Sequence, residues 1–165
     1  MRVVLPLVLL VVGGNVLAAQ ATGGGAAQSV DVFTAVRAGM FSGAQPAGAS
    51  CSVDLVNNTI ARDAAIDHQG SASFKGWAGD KATGKVPAVV SLVLVGAKDF
   101  YVQAHTGGDR PDVAAVLHNP AFARSGFQVA AYLPGIPVGD YGITLYYRID
   151  GKEMICPTHI TVSVQ

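Results

Sequence analysis

The chain has 165 residues, 50% of them hydrophobic and 13% charged, with 11 Lys+Arg set against 11 Asp+Glu. No Lys/Arg cluster stands out to displace counterions from phosphates, which argues against nucleic acid as a partner. Beyond the N-terminus no run is long and apolar enough for a transmembrane helix, so one soluble domain of about 145 residues is expected after export.

The first residues carry the order of a secretory signal peptide. Met1-Arg2 supplies one positive charge, Val3–Val12 is apolar apart from Pro6, and Val16-Leu17-Ala18-Ala19-Gln20-Ala21 offers small-residue cleavage sites after Ala18 or Ala21. The apolar run is shorter than the roughly 20 residues needed to span a bilayer, which favours cleavage over a membrane anchor. Residues 1–21 are therefore assigned as signal peptide. Residues 22–50 follow as a flexible leader, with Gly23-Gly24-Gly25 early and Gly43, Pro46 and Gly48 late. Within the leader, Val30, Val32, Phe33, Val36 and Met40 suit a helical turn or a short strand equally well.

From Cys51 the chain reads as strands. Cys51–Val56 comes first and turns at Asn57-Asn58; Ala61–Asp67 reads as a short strand or loop. Ser71–Ala78 puts Phe74 and Trp77 on opposite faces, and Ala88–Val95 is apolar on both, as a central strand would be. Phe100, Val102 and Ala104 alternate with Tyr101, Gln103 and His105. A helical insert follows at Asp109–Arg124. Pro111 suits its first turn, Asp112 its positive end, and Asn119-Pro120 breaks it. Phe127/Val129/Ala131/Leu133 and Tyr141/Ile143/Leu145/Tyr147/Ile149 are the next apolar sets, expected to be core together with Phe100/Val102/Ala104. Asp150-Gly151 is the signal of a type I′ hairpin, which needs positive φ at both residues, and Lys152–Val164 returns as its partner strand. About seven short strands with turns between them imply an all-β, antiparallel β-sandwich over residues 51–165 with one short helical insert.

Two resemblances sharpen this expectation. Pro137-Val138-Gly139-Asp140-Tyr141 resembles the tyrosine corner of immunoglobulin-like sandwiches, in which a Tyr at the start of the penultimate strand bonds back across a loop. Ile143 stands where an antibody domain has its second Cys, so the likeness is to Ig-like sandwiches and not to antibody domains. In addition, Gly76-Trp77-Ala78-Gly79-Asp80, Arg110-Pro111-Asp112-Val113-Ala114, Ser125-Gly126-Phe127 and Gly139-Asp140-Tyr141, in that order, resemble an uncharacterised proteobacterial exported module. This likeness implies a Gram-negative periplasm and brings no catalytic residues.

Cys51 and Cys156 are the only cysteines, and in an exported chain they read first as one structural disulfide, with a metal pair or free thiols as the lesser reading. The sequence has no Gly-x-Ser-x-Gly elbow, and its one Glu, Glu153, sits beside a hairpin turn. His68, His105, His118 and His159 show no ligand spacing, so no metal and no cofactor is expected. A non-catalytic periplasmic or secreted interaction module is the leading reading, its partner an envelope protein or a glycan. The alternatives are a carbohydrate-binding module, or a small hydrolase or metal-dependent enzyme whose site only the fold assembles. Tyr101, Tyr132, Tyr146, Arg148 and Trp77 form the candidate binding face, because they lie opposite the expected core residues on their strands; Trp77 fits a core position equally, and the helical insert at Asp109–Arg124 is the other docking surface the sequence offers. The order of the first 21 residues generates one expectation: intact-mass measurement of the exported protein should show loss of 18 or 21 residues. Full-length chain in the membrane pellet would contradict it.

Overall fold

A computed structural model describes residues 31–46 and 48–165. The signal peptide at 1–21 and the leader up to residue 30 lie outside the described residues. The strands are β1 (Asp31–Val32), β2 (Thr34–Ala35), β3 (Ala49–Val56), β4 (Thr59–Ile60), β5 (Ala65–Ile66), β6 (Ser71–Asp80), β7 (Val89–Val95) and β8 (Phe100–Gly108). Helix α1 (Pro111–Val116) and a 3-10 turn (Pro120–Arg124) form the insert, followed by β9 (Gly126–Tyr132), β10 (Gly139–Ile149) and β11 (Lys152–Val164).

The protein is all-β, and its strands join one curled, mixed sheet of 11 strands. Their order is β4-β3-β6-β9-β8-β7-β10-β11-β5, with β1 on β9 and β2 on β8. This differs from the expected two sheets of about seven strands for two physical reasons. First, β8 changes partner along its length: Phe100–His105 pairs with β7, while Thr106 and Gly108 pair with β9. Second, β1, β2, β4 and β5 have two residues each, too few to show any periodicity in sequence.

The alternating sets fill the concave side. Phe100, Val102 and Ala104 from β8, Phe127, Val129 and Ala131 from β9, and Tyr141, Ile143, Leu145, Tyr147 and Ile149 from β10 are all buried in one cluster, which Leu133 joins from beyond β9. β7 is buried on both faces: Ser91 and Val93 on one, Val90, Leu92 and Leu94 on the other. Asp150 and Gly151 both take positive φ, 51° and 78°, in the tight hairpin between β10 and β11. Asn57 and Asn58 turn β3 into β4 the same way. The Tyr141 hydroxyl donates to the Pro137 carbonyl at 2.9 Å, the short backward bond of a tyrosine corner.

The leader expected to run to residue 50 stops short of that position. From Asp31 the chain belongs to the sheet: β1 runs parallel to β9, β2 antiparallel to β8, and between them Phe33 enters the core edge-on to Phe74, with centroids 5.8 Å apart. A stretch this short becomes a strand only because β8 and β9 offer it free edges, which no local sequence signal reports. The insert packs on the convex side. There Phe122 meets Trp77 edge-on, 6.0 Å between centroids, and fills the space that any side chain at Gly79 would need.

Cys51 on β3 and Cys156 on β11 form a disulfide with Cα atoms 6.3 Å apart. It ties the two ends of the curled strand order, closing a chain separation of 105 residues. Loop closure on that scale restricts the unfolded chain by at most about 4.7 kcal/mol. Replacing both cysteines with Ser should lower Tm by roughly 10 °C in a thermal melt, since each kcal/mol shifts a domain of this size by about 2–4 °C or more. An unchanged Tm would show that the closure holds without the bond.

Candidate functional site

The convex face of β8, β7, β10 and β11 carries its outward side chains in register. One row runs Tyr101, Val93, Thr144; the next runs Gln103, Ser91, Tyr146, Ile155; and Arg148 faces Glu153 beyond it. Ser91 is the smallest residue of the middle row, so the face dips between Gln103 and Tyr146. Over the dip passes a strap, residues 36–45, that leads from β2 toward β3. At one end the Val36 N–H donates to the Asp99 carbonyl at 2.9 Å. At the other, Gln45 N–H donates to Glu153 O at 2.9 Å and Gln45 O accepts from Ile155 N–H at 3.0 Å.

Phe41 is the strap's main contact with the sheet. Its ring stacks on Tyr146, 4.1 Å between centroids at 21°, and meets Tyr101 edge-on at 6.2 Å. Beside it opens a cleft of about 340 Å³, roofed by Met40, Phe41 and Ala44 and lined by Val89, Ser91, Gln103, Tyr146, Arg148 and Glu153. Burial, and then the negative charge of Asp99, push the Tyr146 hydroxyl pKa up, so it stays a neutral donor. Arg148 Nη2 donates to Glu153 Oε1, which sets one cancelling charge pair at the mouth. The wall is thus apolar with a few polar groups, a composition suited to binding an amphipathic group.

Of the five residues expected to form one binding face, the structure gathers Tyr101, Tyr146 and Arg148. Tyr132 does not join them; it lies on β9, 47% exposed, beside exposed Val32 of β1. Trp77 lies on β6 and is half-covered by Phe122, so it belongs to the seat of the insert. The curl of the sheet separates β6 and β9 from the β7–β10 face, and strand alternation alone could not show that. Sequence reasoning missed Phe41, Met40 and Glu153. The last was legible, because the two-residue turn at Asp150-Gly151 fixes Glu153 opposite Arg148.

A second charged cluster is structural. Arg110 donates through Nε and Nη2 to both oxygens of Asp112, at 2.9 and 2.7 Å, and through Nη1 to Asp54 on β3 at 2.7 Å. Ser52 donates to the other Asp54 oxygen at 2.6 Å. Hydrogen bonding to Arg110 holds the Asp112 pKa down to about 2. The fork therefore clamps the insert to the sheet. Among the described residues, no group of three or more His, Cys, Asp or Glu is placed to hold a metal ion. Comparison with family models, curated proteins and solved structures finds no match for the chain.

Directly beneath the cleft, the Tyr147 hydroxyl enters the β3–β6 ladder. It accepts from Ser50 N–H at 3.2 Å and donates to Gly79 O at 2.8 Å, between two residues that face each other in register. Burial pushes its pKa up to about 12, from the ordinary value near 10. Because the fold favours the protonated phenol, the resulting stability is fully present below pH about 10 and is lost as pH rises toward about 12. Tyr147→Phe should cost about 1–3 kcal/mol at neutral pH by orphaning the buried Gly79 carbonyl and Ser50 N–H. It should also flatten the alkaline fall in stability, measured by urea unfolding at pH 8 to 12. A slope equal to that of the unaltered protein would contradict the assignment.

Proposed function

We propose that the chain is a non-catalytic interaction module of a bacterial cell envelope, an Ig-like sandwich that binds its partner on the convex β7–β8–β10 face. The single observation that carries this reading is the cleft between Phe41, Tyr146 and Arg148. The disulfide and the secretory order of the N-terminus support an oxidising compartment outside the cytoplasm. The Ig-like assignment is supported by the Tyr141–Pro137 bond, by β8 dividing its pairing between two halves of the sheet, and by the meeting of β3 and β11 at the disulfide.

A protein partner fits better than a glycan. Sugar rings stack on aromatic platforms laid side by side, whereas Tyr132 and Trp77 stand away from Tyr101 and Tyr146. The non-catalytic reading is supported by the lining, where the charged side chains among the described residues, Arg148 and Glu153, pair with each other.

A photo-cross-linking residue in place of Gln103 should capture a defined envelope protein in cells, and the same residue in place of Tyr132 should not. Capture should fall when Arg148→Ser or Tyr146→Ser is added with the circular dichroism unchanged. Capture at position 132 alone, or none at 103, would remove this face from consideration.

A further inference from the structure

We propose that the strap is the lid of this cleft, and that Phe41 sits where an aromatic side chain of a bound peptide sits once the lid is displaced. The proposal rests on the convex-face reading above and adds the partner's chemistry.

Three observations lead to it. First, the strap is fastened to the sheet by backbone hydrogen bonds only at its ends, Val36 and Gln45, among the described residues. Between them its hydrogen bonds are internal: Met40 N–H to Arg37 O, Ser42 N–H and Oγ to Gly39 O, and Ala44 N–H to Phe41 O. The middle of the strap is thus a self-contained set of turns, held down by side-chain contacts in which Phe41 is the only aromatic ring. Such a segment lifts at the cost of the isolated Gln45 bridge to β11 but leaves the β7, β8, β10 and β11 ladders beneath it whole.

Second, the seat is specific for a ring. Tyr146 offers a flat face and Tyr101 an edge, and this pair of contacts suits an aromatic group better than a branched aliphatic one.

Third, the seat adjoins a strand edge that already accepts extended backbone. Gln45, four residues after Phe41, forms a parallel bridge with Met154 through Glu153 O and Ile155 N–H. A peptide can therefore use both features the strap uses: a ring between Tyr101 and Tyr146, and an extended residue four positions later along β11. Main-chain pairing supplies affinity and the side-chain seat supplies selectivity. The mouth, with Arg148 and Glu153 of opposite charge, accepts a polar residue of either sign beside the ring.

The closed lid reduces apparent affinity by the fraction of molecules that are open, so emptying the seat removes that penalty. The probe is a fluorescent synthetic peptide with this chain's own residues 36–46. Phe41→Ala in the full exported chain should bind it at least about tenfold more tightly than the unaltered protein does, corresponding to about 90% closure or more. A peptide with its Phe replaced by Ala should lose the gain, and so should adding Tyr146→Ser to the protein. If Phe41→Ala does not fold, Phe41→Leu serves, since it keeps apolar contact without the stacked ring. Equal binding by a native-like Phe41 variant and the unaltered protein, or a gain indifferent to the peptide's ring, would overturn the lid. The module reading fails separately, by absence of cross-linking at Gln103 in cells, whatever the peptide does.

Discussion

A sheet that curls must close, and here the closure is the meeting of β3 with β11. The Cys51–Cys156 bond holds the two strands, and the Tyr147 hydroxyl, reaching from β10 into the β3–β6 ladder, locks the neighbouring layer. Without that seam, the concave apolar side would face water along its whole length, because β4 and β5 are too short to cover it. The cleft lies on the opposite side of the same strands. Tyr147 points inward to the seam, and its neighbours Tyr146 and Arg148 point outward to the cleft. Strand alternation makes the inner lock and the outer site two faces of one β10 segment. A one-residue slip of β10 would destroy both.

That coupling gives the cleft a firm floor. Ser91, Tyr146 and Ile155 are set by ladders on both sides of β10, and the buried Val90, Leu92 and Leu94 fix β7 from below. The roof is different in kind, made of turns fastened at two points. Floor and roof thus differ in how many backbone bonds hold them: ladders on both sides below, bonds at Val36 and Gln45 alone above.

How much of this was legible follows from how far each signal reaches along the chain. The core faces of β8, β9 and β10 could be read because alternation is local, and the hairpin could be read because Asp150-Gly151 dictates its own φ values. The bond from Tyr141 back to Pro137 was legible for the same reason, as its donor and acceptor are four residues apart. Phe41 was not, since its partners Tyr101 and Tyr146 lie on strands far along the chain and its own neighbourhood is rich in Gly and Ala. Arg110 read only as part of the stretch that resembles an exported module, and the sequence carried no hint that its guanidinium reaches Asp54, 56 residues away. Strand alternation set Trp77 and Tyr132 on the faces opposite Phe74 and Ala131. Which half of a curled sheet a residue occupies, however, depends on strand order, a global property.

β11 is the longest described strand, with 13 residues, and beyond the two-residue β5 no strand ladder pairs its outer edge; a strand of that length is a template on which other copies of the chain could stack. Its edge is blunted in three ways. Pro157 removes a donor from the middle. The register shift near Thr158 and His159, where His159 takes a φ of 58° and Thr158 Oγ1 donates to Ile143 O, bends the strand. β5 covers one end and Gln45 the other. Gln45 belongs to the strap, so the segment that shields the cleft also guards the chain against polymerisation. A molecule whose strap lifted with no partner at hand would bare Glu153 and Ile155 to its neighbours.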